Sequence, residues 1–218
     1  MKKGLIVLNG YFSDVKKIEL QIIKHASDLS FDFVIGVDGG CVLLEQLNQK
    51  PNLILGDFDS LKRLNEYKAL WPHAEVKTFQ TEKDFTDAEL AFAESDALEL
   101  DEVYVIGGTG GRLDHQLSIL FLLKNRPQYI LIDEQNVLKY IKAPYHQKVL
   151  SGDVKSKYVS LIPMESGLIG VDLIGFKYPL NQATICFGQT LGISNEVIDP
   201  VGTIIIVSGD GFLVFSED

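Results

Sequence analysis

The hydrophobic period of this chain changes once, near residue 135, and that change limits the folds open to it. Up to about residue 130, short apolar runs (4–8, 33–37, 53–55, 74–78, 102–106 and 129–132) alternate with other stretches. Those stretches (15–29, 42–47, 61–70, 88–98 and 113–123) repeat apolar residues every three or four positions, the helical spacing. Strands alternating with helices predict parallel strands joined by right-handed crossovers. After residue 135 the helical spacing is gone. Segments 137–141, 158–162, 168–173, 184–187, 203–207 and 212–215 are β-branched or aromatic and predict strands. Turn chemistry separates them at Ala143-Pro144, Ser151-Gly152-Asp153, Glu165-Ser166-Gly167 and Ser208-Gly209-Asp210-Gly211, the last predicting a hairpin. The expectation is a parallel-sheet α/β domain over 1–134, then an all-β sandwich or barrel over 135–218.

Composition and charge narrow the function. With 46% hydrophobic and 23% charged residues in 218, the chain is neither collagen-like, coiled-coil nor wholly disordered. Twenty Lys and Arg against 30 Asp and Glu give −10, without the cation excess that a nucleic-acid binder needs. A polyphosphate remains possible if a divalent cation stands between it and the acids. Cys41 and Cys186 cannot make a disulfide framework and are expected to be buried thiols in a reducing compartment. The apolar start stops at Asn9, too short for a signal peptide, and no run is long enough to span a bilayer. A soluble, cytoplasmic protein with no membrane or nucleic-acid partner is expected.

Ligands of open parallel sheets collect beyond the carboxyl ends of the strands. Four polar clusters fall at or close to such ends: Asp38-Gly39-Gly40, Gly56-Asp57-Phe58-Asp59-Ser60, Lys83-Asp84-Phe85-Thr86-Asp87, and Gly107 through His115. In extended chain Asp57 and Asp59 face the same side, an arrangement of hard oxygens that suits Mg2+. Helix capping by Asp59 or Ser60 is the plainer reading, and it leaves Asp57 unexplained. Thr86 and Glu89 fit a capping box, while Asp84 and Asp87 are either helix-dipole acids or further metal ligands. Four glycines in five positions before Arg112 let backbone approach an anion at a helix start, and the guanidinium suits phosphate. The loop is neither GxxxxGK[ST] nor GxGxxG. His25, His73, His115 and His146 lack zinc spacing, and GxSxG is absent. In the second half, the segment 187–196 is either a long connection or a rigid loop presenting Ser194 and Asn195 to a small polar ligand.

Together these residues resemble the thiamine pyrophosphokinase family. The likeness runs through Val37-Asp38-Gly39-Gly40, Pro51 to Ser60, Lys83 to Glu89, Gly107 to His115, Ser160 to Pro163, Gly175 to Leu180 and Gly192 to Glu196. Cys41-Val42 depart from the Ala-Asn that often follows Asp-Gly-Gly in that family, so no ligand contact is assigned there. The resemblance implies a Rossmann-like α/β domain, a β-sandwich, and a homodimer whose active sites combine one subunit's α/β domain with the other's sandwich. It implies transfer of the β,γ-pyrophosphoryl group of ATP to thiamine, releasing AMP. Carried over, Asp57, Asp59 and Asp87 would hold Mg2+. Asp38, Gly39, Gly40, Asp84, Thr86, Gly110, Gly111, Arg112, Asp114 and His115 would line the ATP site, with Arg112 and Asp114 among the catalytic residues. Ser194 and Asn195 would lie near the thiamine pyrimidine. Two rivals stand beside this reading: a pyrophosphokinase for a hydroxymethylpterin, and a non-catalytic thiamine or nucleotide sensor. A phosphatase-type aspartate in Asp57-Phe58-Asp59 would leave the glycine-arginine loop without a role.

Overall fold

A computed structural model describes residues 1–56, 64–78, 85–151 and 158–217. The chain is a mixed α/β protein that divides into two compact units.

The first unit comprises Met1–Leu123 and Gln128–Glu134. Its strands are β1 (Lys3–Val7), β2 (Phe33–Val37), β3 (Leu53–Gly56), β4 (Glu75–Thr78), β5 (Glu102–Ile106) and β6 (Tyr129–Ile132). They pair in the order β4-β3-β2-β1-β5-β6, each pair parallel. Strands β1, β2 and β5 are buried on both faces after their first residue, as the continuous apolar runs require. The crossovers carry α1 (Val15–Ala26), α2 (Gly40–Gln46), α3 (Leu64–Leu70), α4 (Asp87–Asp96) and α5 (Leu113–Leu122). Helix α1 shows why they form: Ile18, Ile22 and Ala26, four residues apart, are buried. Burying Ile18 and Ile22 contributes roughly 1.5–3 kcal/mol each. The Asp14 carboxylate accepts from Lys16 N at 2.9 Å to start the helix, and Ser27 at φ 70° ends it. Helix α3 stops before Trp71-Pro72, and Trp71 stacks on Tyr67. The chain visits β1 to β4 in one direction, then returns to β5 and β6 on the other side of β1. The switch point therefore lies between β1 and β5.

The second unit comprises Lys124–Pro127 and Gln135–Asp218. Its strands are β7 (Asn136–Lys142), β8 (Tyr145–Leu150), β9 (Tyr158–Ile174), β10 (Leu180–Ile185), β11 (Val201–Ile206) and β12 (Ser208–Ser216). Every pairing is antiparallel: β7-β12-β9-β11-β8, with β10 also on β9. Two expectations are corrected here. Glu165-Ser166-Gly167 is not a turn, because β9 runs unbroken from Tyr158 to Ile174. Ser208-Gly209-Asp210-Gly211 does not close a hairpin, since β11 and β12 do not pair with each other and both run along β9. The glycines bend this ladder instead of ending it. Gly167 (φ 71°) and Gly209 (φ 98°) meet where a Cβ on Gly209 would strike the Gly167 carbonyl, and the β9–β12 register shifts beside them. Strand β8 was not foreseen, because its polar alternating sequence belongs to the end strand of the order. The bent ladder lets β7, β8, β9, β10, β11 and β12 all bury side chains in one core, among them Ile141, Val149, Leu161, Leu168, Ile185, Ile204 and Leu213. A further correction concerns the thiols. Cys41 is buried, but Cys186, one residue past the end of β10, is exposed. Among the described residues no helix is long and apolar enough to cross a membrane.

Candidate active site

A cleft of about 300 Å³ opens at the switch point. Its walls come from the ends of β1 (Leu8, Asn9, Gly10) and β2 (Val37, Asp38) and from the start of α4 (Thr86, Asp87, Ala88). The loop after β5, from Gly107 to Arg112, and one side of α5, including His115 and Gln116, complete it. Parallel pairing puts the carboxyl ends of these strands on one edge, so residues far apart in sequence converge.

Asp38 follows β2 at φ 45°, and its amide donates to Leu55 O at 2.9 Å. The Asp38 carboxylate lies against Gly56, where any Cβ would collide with Oδ1. Only glycine at the end of β3 admits that carboxylate. Burial first, and the Asp38 charge second, push the nearby Cys41 thiol up to about 12, so it is no nucleophile at neutral pH. Thr86 Oγ1 accepts from Glu89 N at 3.2 Å, the capping bond its sequence predicted. Asp87 then occupies the first turn of α4 and lines the cleft.

Arg112 stands at the N-cap of α5 without capping it. Its guanidinium forks onto Asp114, with Nε to Oδ1 at 3.1 Å and Nη2 to Oδ2 at 2.6 Å. Those hydrogen bonds, and then the charge, raise the Arg112 pKa, and the same hydrogen bonds hold the Asp114 carboxyl below its usual value. Both groups are exposed, so the pair adds little to stability; what it does is fix the guanidinium at the cleft. Gln116 Nε2 donates to Gly111 O at 2.8 Å and ties the glycine loop to the helix.

In the second unit, Ser194 and Asn195 lie within the β10–β11 connection. Asn195 is 4% exposed, and its Oδ1 accepts from Tyr178 N (3.0 Å) and Glu196 N (2.9 Å) while Nδ2 donates to Tyr178 O (2.7 Å). Its backbone bridges to Val159 in both directions. This side chain is a structural staple. Ser194 sits at φ 56°, and its amide donates to Ser160 Oγ at 2.9 Å. The stapled Tyr178 is 58% exposed as a residue.

Residues 27–132 match the sequence profile "Thiamin pyrophosphokinase, catalytic domain", and residues 146–212 match "Thiamin pyrophosphokinase, vitamin B1 binding domain". A thiamine pyrophosphokinase of Bacillus subtilis is 35% identical over 84% of this chain and 87% of its own. The chain belongs to the thiamine pyrophosphokinase family. A crystal structure of the Bacillus subtilis thiamine pyrophosphokinase matches with a TM-score of 0.86 at 32% identity, over all of both chains. That of the Geobacillus thermodenitrificans thiamin pyrophosphokinase gives 0.81 at 31%, over all of this chain and 98% of that one.

Within the thiamine pyrophosphokinase framework, the cleft brings together Asp38, Thr86, Asp87, Gly111, Arg112 and His115 from the expected set. Gly39, Gly40, Gly110 and Asp114 stand outside the lining: Gly40 opens α2, Gly110 packs against Tyr11, and Asp114 holds Arg112. Asp57, Asp59 and Asp84 lie outside the described residues. Asn9, Gly10 and Gln116 line the cleft without having been singled out, and Thr109 lines it from within the predicted Gly107–His115 cluster. The strand-end rule, applied to the uncharged Asn9-Gly10 after β1, was the signal for the first two.

Proposed function

We propose that the chain transfers the β,γ-pyrophosphoryl group of ATP to the hydroxyethyl hydroxyl of thiamine, giving thiamine diphosphate and AMP. The observation that carries this is the cleft gathering Asp38, Asp87 and Arg112 inside the segment that matches the family's catalytic domain. The vitamin B1 binding match over 146–212 favours thiamine over a hydroxymethylpterin as acceptor. On this reading the first unit is a Rossmann-like ATP domain and the second a β-sandwich that takes thiamine. Two copies would pair so that each site combines both kinds of unit. Leu113, Leu117 and Phe121, four residues apart on α5, and Phe187 and Leu191 in the second unit are exposed apolar surface suited to such an interface.

Carboxylate oxygens are the hard donors Mg2+ takes, and the acidic set fits it. Asp87 lines the cleft with Asp38, and Asp57 directly follows Gly56, against which the Asp38 carboxylate lies. Asp57, Asp59 and Asp87 would hold the ion, which when bound offsets negative charge on the polyphosphate. The Arg112 guanidinium, held by Asp114 through Nε and Nη2, turns its Nη1 side to phosphate oxygens, and the glycine loop and α5 start offer amides to them. The thiamine hydroxyl oxygen attacks the β-phosphorus, and its proton passes to a carboxylate. The bond from that phosphorus to the α,β-bridging oxygen breaks, and its electron pair leaves with AMP. Asp84 and Asp114 are the candidate bases, and the hydrogen bonds from Arg112, which hold the Asp114 carboxyl below its usual value, count against Asp114. Tyr178, largely exposed, held through its backbone by Asn195 and with the Lys177 ammonium 5.7 Å from its ring centroid, offers an aromatic surface to the thiamine heterocycle.

Incubation with ATP, Mg2+ and thiamine tests the reading. AMP and thiamine diphosphate in equal amounts are expected. ADP with thiamine monophosphate would refute attack at the β-phosphorus, AMP release only with a hydroxymethylpterin would move the acceptor, and binding without products would favour the sensor.

A further inference from the structure

Two loops wall the cleft at the switch point: residues 9–14, between β1 and α1, and Gly107 to Arg112, between β5 and α5. They lie against each other: a Cβ on Gly10 would strike the Gly107 backbone, and the Tyr11 carbonyl packs on Gly110. Just past the end of β6, two consecutive acids each grip one of them. Asp133 Oδ2 accepts from the Thr109 hydroxyl at 3.0 Å. Glu134 accepts from the Ser13 amide, the Ser13 hydroxyl and, at 2.9 Å, the Asp14 amide. Neither acid is among the residues lining the cleft. We propose that Asp133 and Glu134 are positioning residues for the nucleotide, a latch behind the cleft that sets the spacing of the two loops whose Asn9, Gly10, Thr109 and Arg112 face the ligand.

This rests on the reading of the cleft as an ATP site. A plain helix cap explains less. The Asp14 side chain already serves the start of α1 by accepting from Lys16 N, and Glu134 instead takes Ser13, which lies outside that helix. The Ser13 hydroxyl and the Asp14 amide also hold the Glu134 carboxyl below its usual value, as befits a carboxylate that works ionised. Through Thr109 and Ser13 the latch spans 24 and 121 residues of sequence, so it fixes a distance that neither loop could fix alone.

Calorimetric titration of the full chain with Mg–ATP, alongside steady-state kinetics with thiamine, tests the latch. Glu134→Ala is expected to weaken Mg–ATP binding and raise KM for ATP by about tenfold, with KM for thiamine within about twofold. Glu134→Gln keeps an Oε1 that accepts both amides and should restore most of that affinity. Ser13→Ala removes one bond of the three and should give a smaller loss in the same direction, which keeps the test available if Glu134→Ala folds poorly. Wild-type affinity in Glu134→Ala, with only its thermal midpoint lowered, would overturn the latch and leave a structural cap. Wild type binding no Mg–ATP at all would overturn the nucleotide reading, and the latch with it.

Discussion

The two units spend their polar side chains in opposite ways. In the first, Asp38, Asp87, Arg112 and His115 stand at strand or helix ends with their functional groups toward a cleft. In the second, the side chain of Asn195, the most buried polar residue described in that unit after tyrosine is set aside, goes into bonds with the backbone of Tyr178 and Glu196. A parallel sheet with a switch point makes a cleft from its topology, so residues there are available for chemistry without dismantling the fold. A bent antiparallel ladder makes a core, and Ser194 and Tyr178 are held beside it by the Ser160 and Asn195 side chains. On the proposed function, the first unit breaks the bond and the second places the acceptor.

The strongest way to break that comparison is at the acids after β3. Asp57→Asn or Asp59→Asn is expected to cut turnover by about 10³-fold or more with the circular dichroism spectrum unchanged, and normal turnover would remove the metal assignment. Arg112→Ala should lower kcat by about 10²- to 10³-fold, and Asp114→Asn by about tenfold, because the guanidinium remains but loses its fork. The pH dependence follows from sign. Asp114 has a depressed pKa in the fold, so the pair is intact above the ordinary carboxylate value and lost only as pH falls through that lower value. Wild-type activity should therefore show no step from this pair above about pH 5, and a step near neutrality that Asp114→Asn abolishes would contradict the arrangement. Asn195→Ala, by contrast, should lower the unfolding free energy by about 2–4 kcal/mol in denaturant titration while Mg–ATP binding persists. The smallest effect concerns the thiols. A thiol reagent should modify one cysteine, Cys186, in the native chain and the buried Cys41 only on unfolding.

Much of this division was legible before any coordinates. The switch from helical spacing to strand-only pattern near residue 135 reflects which faces must be buried, and it marks the two units closely. Strand ends followed by acids and glycines led to Asp38, Asp87 and Arg112, because charge at a strand end is visible in one dimension. The bend in β9 was not legible. Gly167 and Gly209 carry the composition of turns, and only their meeting across the ladder makes them a kink in continuous strands. Asn9 and Gly10 went unnoticed because they carry no charge. Asn195 showed the opposite limit: its amide stood out in the sequence, but sequence does not tell a side chain that faces a ligand from one that holds backbone in place.

The most direct test of the division is Tyr178→Ala, measured for Mg–ATP affinity by calorimetry and for thiamine KM by turnover. The account predicts unchanged ATP affinity with thiamine KM raised by about tenfold, the loss of one aromatic surface. Equal weakening of both substrates, or of ATP alone, would contradict it.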